Sequence, residues 1–327
     1  MPTISVLIPV FNEAESLSDL YRELAEVKAN QSLELEIIFV DDGSSDASWQ
    51  VICDLCQTYD DIHGIKLRRN FGKAAALRAA VESARGELLI TLDADLQDDP
   101  REIPRLLEMI GRDFDLVSGW KENRQDPLNK RIPSKIFNFL VSFSTGVKLR
   151  DHNCGLKIYR REVFDFVKLY GEMHRFIPVL AAAQGFRIGE LSVNHRPRQH
   201  GKSKYGWSRM AKGLLDLLTV SFLTGYHQRP QHLIGTVGGT IFLLGLAGTS
   251  WMAIHWLGRM VWFHDWTPLH QRPLLLYSLG GVLLGAQLLC MGFLAELIVA
   301  KGQSDHCPYN VKERVKPRNE FPQLSDD

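Results

Sequence analysis

The sequence predicts an α/β protein with a mostly parallel sheet, followed by two membrane spans. Three observations carry that reading. Over residues 1–230, short apolar runs alternate with helix-patterned stretches. Near the C-terminus, residues 233–254 and 274–295 hold no charged side chain. Clusters of acidic and turn-forming residues follow three of the apolar runs.

Composition narrows the classes. The chain has 327 residues with 38 Lys and Arg against 38 Asp and Glu, a formal net charge of zero. That balance gives no global electrostatic reason to expect nucleic acid as a partner. The length admits one large domain with an appendage. The cysteines Cys53, Cys56, Cys154, Cys290 and Cys307 are odd in number and unpatterned, so no disulfide framework is expected. Cys53 and Cys56 form a CxxC, but inside a helix-like run with no second pair, and read as half-buried helix residues. The first residues run straight into an apolar strand pattern without a basic segment or cleavage site, so no signal peptide is expected.

The elements follow in order. Strands are expected at 4–10, 35–40, 62–67, 88–92 and 116–118, each a short Ile-, Val- or Leu-rich run bounded by polar residues. Helices are expected at 15–29, 47–59, 73–84 and 101–110. Asn12 with Glu15 reads as a capping box for the first helix. Gly86 reads as the stop of the third, and Pro100 as the start of the fourth. Strands alternating with helices make a parallel sheet covered on both faces, whose ligands bind beyond the carboxyl ends of the strands.

Those ends are acidic. Asp41-Asp42-Gly43-Ser44 follows the second strand, and Asp93-Ala94-Asp95-Leu96-Gln97-Asp98 the fourth. Crowded carboxylates repel unless a cation or hydrogen-bond donor answers them. The i, i+2 spacing of Asp93 and Asp95 suits one hard cation, Mg²⁺ or Mn²⁺, which keeps positions open for substrate phosphate oxygens. Asp41 and Asp42 suit hydrogen bonds from a nucleobase edge or ribose hydroxyls. Each cluster alone is also ordinary turn composition. The absence of GxGxxG and of GxxxxGK[ST] argues against a dinucleotide fold and a P-loop.

Four motifs together resemble a known family. Pro9-Val10-Phe11-Asn12-Glu13, Asp41-Asp42-Gly43-Ser44, Arg69-Asn70-Phe71-Gly72-Lys73 and Asp93-Ala94-Asp95 look like the signature of the family 2 glycosyltransferases. The likeness is greatest to the polyprenyl-phosphate branch, which includes dolichol-phosphate mannosyltransferase and bacterial undecaprenyl-phosphate glycosyltransferases. It implies the GT-A fold, a Rossmann-like, mostly parallel sheet. By that resemblance Pro9, Phe11, Glu13, Asp41, Asp42, Lys73, Asp93, Ala94 and Gln97 line the donor nucleotide site. Asp93 and Asp95 form the DxD pair, with the metal bridging Asp95 and the donor diphosphate. Asp151, in Asp151-His152-Asn153-Cys154-Gly155-Leu156-Lys157, faces the acceptor, although many relatives carry Arg where this chain has Lys157. The catalytic pair is then Asp151 and Asp95. The implied partners are a UDP- or GDP-linked sugar and a polyprenyl phosphate, undecaprenyl or dolichyl, with transfer by inversion. A homo-oligomer, as large as a tetramer, is also implied.

Residues 195–205 mix Arg, Lys, Gly and Ser just ahead of the first apolar run. Arg offers a planar fork for phosphate and Lys a point charge. With the resemblance, this assigns Arg198, Ser203 and Lys204 to phosphate binding. Residues 207–226 and 131–147 suit helices lying in a membrane interface, the second with a core helix as its alternative. The two uncharged runs each exceed the ~20 residues that cross a bilayer. Their connection, 255–272, holds Trp256, Trp262 and Trp266 and reads as an interfacial belt. Basic residues cluster before the first run and after the second, which predicts cytoplasmic termini and a cytoplasmic 301–327 tail. The expected organisation is therefore a domain at 1–230, a membrane hairpin at 231–300 and a tail. Two rival readings stand beside it. A processive polysaccharide synthase lacks support because there is no Gln-x-x-Arg-Trp motif. A membrane-anchored sugar-nucleotide binding protein without catalysis is disfavoured by the intact carboxylate pair.

Overall fold

The computed structural model describes residues 3–111, 113–122, 128–167, 169, 171–197, 216, 217, 219, 220, 230–261 and 272–302. The chain divides into two compact units, Met1–Thr224 and Gly225–Asp327.

The first unit is built on a seven-stranded sheet of order β3-β2-β1-β4-β6-β5-β7. The five strands expected from sequence are present as β1 (Ile4–Val10), β2 (Leu35–Asp41), β3 (Ile62–Lys66), β4 (Leu88–Thr91) and β5 (Leu116–Lys121). The first four pair in parallel. Two more strands complete the sheet: β6 (Lys157–Arg160), antiparallel to β4 and β5, and β7 (Ile188–Val193), parallel to β5.

The central strands are apolar on both sides, as a covered parallel sheet requires. Val6, Ile8, Ile37 and Phe39 pack into one core beneath α1 (Leu17–Gln31), α2 (Ser48–Thr58) and α4 (Ile103–Ile110). Leu7, Ile38 and Val40 alternate with them into a second core with α3 (Lys73–Ser83). Each fully buried Ile, Leu or Phe contributes roughly 1.5–3 kcal/mol by leaving water.

Two expected helix signals act differently. Asn12 caps no helix: its backbone is left-handed, φ 57°, and α1 begins only at Leu17. Asn tolerates that conformation because its short polar side chain bonds locally. Gly86 does not end α3, which passes to extended backbone at Ala84. Gly86 instead meets β1, where a methyl group would fall 2.6 Å from the Ser5 nitrogen. Pro100 does begin a helical segment, a 3₁₀ turn at Pro100–Glu102 that runs into α4.

The remaining helices of the first unit are α5 (Leu128–Thr145), α6 (Val163–Phe166) and α7 (Ile177–Ala183). The α5 helix covers the expected 131–147 segment except its last two residues. Its Val141 packs with Met173, Phe176, Leu217 and Val220, while Ile136, Phe139 and Phe143 remain uncovered. Within the expected 207–226 helix, residues 216, 217, 219 and 220 are helical; the rest lies outside the described residues.

The second unit holds two long helices, Pro230–Val261 and Pro273–Gly302. Their segments Ile234–Val261 and Pro273–Ile298 are long and apolar enough to cross a membrane. Trp256 lies inside the first helix, because that helix continues past the expected boundary to Val261; Trp262 and Trp266 lie outside the described residues. The two helices approach backbone to backbone. A methyl at Gly245 would fall 2.5 Å from the Val282 nitrogen. In lipid, where apolar burial gives no drive to associate, such small-residue contact supplies the packing.

Candidate active site

The carboxyl ends of β1 and β2 are braced against each other. The Asn12 amide donates to Ser44 Oγ at 2.9 Å, and Asn12 Oδ1 accepts from the Ser45 amide at 2.8 Å. Glu13 N–H donates to Ser48 Oγ at 2.9 Å. Asp46 accepts from the amides of Ser48 and Ala14, which pins the start of α2 to the loop after β1. Pro9, Phe11 and Glu13 are half-buried along this brace.

The two aspartates after β2 take different tasks. Asp41 is fully buried; its Oδ1 accepts from the Ser44 amide at 3.0 Å, and its buried Oδ2 has no hydrogen-bond partner. Asp42 accepts from the Phe71 and Gly72 amides at 2.7 and 2.9 Å. It therefore holds the 69–73 loop, whose Lys73 opens α3. Gly43 makes the turn possible: it sits at φ 71°, and a methyl there would lie 2.5 Å from the Arg69 carbonyl carbon.

After β4 comes the acidic segment. Lys73 Nζ donates to Asp93 Oδ1. Burial pushes the Asp93 carboxyl up, but the Lys73 ammonium and then Lys121 and His174 outweigh it, holding the carboxyl at about 2. Ala94 is buried, and its carbonyl accepts from Ser16 Oγ at 2.6 Å. Leu96 is left-handed, φ 59°, with its side chain buried. That turn lets the Gln97 amide donate back to Asp95 Oδ1 at 3.2 Å. Asp98 is buried, with Lys121 Nζ at 3.3 Å and His195 Nδ1 at 3.9 Å. Burial would lower Lys121, yet the Asp98 carboxylate carries it above the usual lysine range.

Asp151 reaches the same cluster from the segment before β6. It is buried, and its Oδ1 accepts from the Asn153 amide at 3.1 Å. Glu190 Oε1 on β7 receives the Arg150 and Asp151 amides at 2.7 and 3.2 Å and so fixes this backbone. Lys157 is buried and donates to the Cys154 carbonyl; burial pulls its ammonium down, and the Lys73 charge adds to that. Gly155 is wedged in the middle: a methyl there would lie 2.6 Å from Asp98 Oδ2 and 2.7 Å from Asp93 Cγ. Asp93, Asp98, Asp151, Lys73, Lys121 and Lys157 thus stand within electrostatic reach of one another. Arg198, Ser203 and Lys204 lie outside the described residues.

Among the described residues no three His, Cys, Asp or Glu side chains converge as a self-sufficient metal cage. Asp93 is answered by Lys73, while Asp95 is half-exposed beside it. One or two carboxylate oxygens fit a hard divalent cation that takes its remaining ligands from phosphate and water. A cavity of about 1070 Å³ lies at the opposite, amino-terminal ends of β1 and β4, lined by residues such as Ile4, Leu33, Leu88 and Arg160, and holds none of these carboxylates.

His152 gives the site a stability signature. It is buried, with Ser142 Oγ 3.2 Å from Nε2. Burial and then Lys157 depress its imidazole from 6.5 to about 4. The unfolded chain takes up this proton below pH 6.5 and the folded chain only near 4, so stability is full above 6.5 and falls across that window. The expected slope is about 1.4 kcal/mol per pH unit for this group. Thermal unfolding of wild type and His152→Asn between pH 4 and 8 checks it: the variant should show the shallower decline. His174, also depressed by burial and by Lys73, retains its own share of the slope.

Sequence reading left Asp98, Lys121, Gly155, His174, Glu190 and His195 without roles. The signal for Asp98 was its place in the acidic segment; its partners come from β5 and from beyond β7, and only the topology joins them.

A mostly parallel sheet with carboxylates gathered beyond β2 and β4 is the GT-A arrangement of sugar-transferring enzymes. Residues 5–167 match the family model for glycosyl transferase family 2. The chain is 40% identical to a dodecaprenyl-phosphate galacturonate synthase of Rhizobium johnstonii, covering 90% of this chain and 87% of that one. It is 37% identical to an undecaprenyl-phosphate 4-deoxy-4-formamido-L-arabinose transferase of Pseudomonas fluorescens, covering 90% and 84%. Its fold also matches glucosyl-3-phosphoglycerate synthase of Mycobacterium tuberculosis, solved with Mn²⁺, UDP and phosphoglyceric acid, at TM-score 0.54 and 14% identity over 68% and 78% of the two chains. The chain belongs to glycosyltransferase family 2.

Proposed function

We propose that this glycosyltransferase moves a sugar from a nucleotide donor to a polyprenyl phosphate, with inversion at the anomeric carbon. The observation that carries the reading is the convergence of Asp93, Asp151 and Lys73 at one sheet edge, in a chain similar over nine-tenths of its length to polyprenyl-phosphate sugar enzymes.

Asp41, buried with its Oδ2 unpartnered, lies behind the nucleobase end of the donor site, which Pro9, Phe11 and Glu13 line. Asp42 serves the same site indirectly, through the loop that presents Lys73. Asp95, with Gln97 after it and Asp93 beside it on Lys73, would hold a divalent cation for the donor diphosphate; Mg²⁺ and Mn²⁺ both suit such oxygen ligands. When bound, that cation supplies charge stabilisation to the departing nucleoside diphosphate. Lys73 adds a fixed positive charge at the same place. Arg198, Ser203 and Lys204 bind the acceptor phosphate.

A phosphate monoester has its second pKa near ~6, so the nucleophile is largely dianionic at neutral pH. Asp151 orients it and takes any remaining proton. Asp151→Asn is expected to lower kcat by about 10²-fold, at the low end for general-base loss, with both substrates still bound. Unchanged turnover removes the assignment.

The uncovered face of α5, with Phe139 and Phe143 stacked at 6.1 Å, suits contact with the lipid interface. Phe143, at 79% exposed, carries the sharper test. Phe143→Ser should raise KM for the lipid acceptor and leave KM for the donor alone. The two apolar helices anchor the enzyme, with both termini on the cytoplasmic side.

Purified protein given radiolabelled nucleotide sugars and polyprenyl phosphate decides the matter. The donor panel carries galacturonate, 4-deoxy-4-formamido-L-arabinose, glucose and mannose. Label appearing in the lipid phase supports the proposal; label in a long glycan, or none with any donor, refutes it.

A further inference from the structure

The segment after Asp95 is held by residues far along the chain. The Arg196 amide donates to the Gln97 carbonyl at 2.9 Å, and an isolated bridge joins Asp98 to His195. The Arg196 guanidinium forks between two carboxylates: one arm meets Asp99, and the other meets Glu23 of α1 at 2.6 Å. All three side chains are at least four-fifths covered. Asn194 adds two bonds, from Nδ2 to Asp99 Oδ2 at 3.3 Å and from its amide to Glu102 Oε1 at 3.2 Å.

What this clamp holds is strained. Leu96 at φ 59° is a branched residue in left-handed backbone, which costs of order 1–3 kcal/mol and persists only where its surroundings fix it. On one side the Leu96 side chain is buried in the core; on the other, residues 97–99 are tied to 194–196. Relaxing the turn would withdraw the Gln97 amide from Asp95 Oδ1.

We infer that Arg196 is a positioning residue for Asp95: forked between Asp99 and Glu23, it locks the strained turn that aims the Asp95 carboxylate. The inference rests on the proposed role of Asp95 toward a metal-bound donor diphosphate. A planar, permanently charged fork is needed because two carboxylates on separate elements must be bridged at once. An ammonium replaces the charge but spans the two less well.

The test is calorimetric titration of full-length, detergent-solubilised protein with UDP and, in parallel, GDP, each in MnCl₂ and in EDTA. The quantity read is the gain in affinity that Mn²⁺ confers. Asp95→Asn should abolish the gain. Arg196→Gln should cut it by about 10-fold, the scale of losing a partner behind a metal ligand, and Arg196→Lys should fall between. Affinity in EDTA should not change. A merely structural role lowers the melting temperature or the binding-competent fraction and leaves the Mn²⁺ gain intact. If Asp95→Asn loses the gain and Arg196→Gln keeps it, the inference fails while the reading of Asp95 stands. If Asp95→Asn keeps the gain, that reading fails and the inference with it. Should Arg196→Gln not fold, Glu23→Gln, which removes one arm, carries the test with an expected loss of about 3-fold, below the range for a wholly lost partner.

Discussion

Asn in place of Asp95 is expected to lower kcat/KM by about 10³-fold, the upper range for removing one stabiliser of transition-state charge. The amide oxygen of Asn can still accept from the Gln97 amide, so the turn at Leu96 should survive. The negative charge proposed to face the cation is what disappears. The matched control is Asp93→Asn, whose consequence differs in kind: Lys73 then loses its counter-charge. Metal titration of the initial rate separates the two. For Asp95→Asn, excess Mn²⁺ should recover part of the rate. For Asp93→Asn it should not, because the lost partner is an ammonium. A melting temperature within about 2 °C of wild type would show that the Asp95 effect is local, since ~1 kcal/mol shifts a domain of this size by a few degrees.

Gly155→Ala is the second large effect, and it divides stability from activity. The added methyl would meet Asp98 Oδ2 and Asp93 Cγ, both far ends of side chains, not backbone. The fold can yield by turning those carboxylates, so the stability cost should stay near the ~1–3 kcal/mol of ordinary overpacking. The same movement takes Asp93 off Lys73 and Asp98 off Lys121. A displacement of ~1 Å at a reacting centre costs on the order of 10²-fold in rate. A folded variant with kcat reduced to that extent is the expected result. Full activity would show that the carboxylates are not positioned through this glycine.

The limits of what could be read from sequence follow from where each signal resides. The strands β1, β2 and β4 were legible because each buries a largely apolar run between turn residues, while β3 and β5 showed only through short apolar stretches, buried at Ile62 and at Leu116 and Val117. The four residues of β6, Lys-Ile-Tyr-Arg, carry no such pattern; they are a strand because β4 and β5 flank them. In β7, Gly189, Glu190 and Ser192 interrupt any clean alternation. Asn12 satisfied the capping motif locally, but the bonds available from Ser44 and Ser45 outweighed it. At the site, Asp41, Asp93 and Asp95 were visible as acidic residues at strand ends, whereas Asp151, which precedes β6, was marked only by the family resemblance. That Asp42 would turn inward to two amides was not visible, since its partners lie on the loop before α3.

The brace between the ends of β1 and β2 bears on how the enzyme can discriminate. Asn12, Ser44, Ser45, Asp46 and Ser48 already satisfy one another, so a nucleotide docking there needs little loop ordering and loses little affinity to it. A stiff cradle of this kind grips the common part of many donors alike. Choice between one hexose and another then falls to residues outside this cradle, and changes of sugar preference should accumulate there while the cradle stays unaltered.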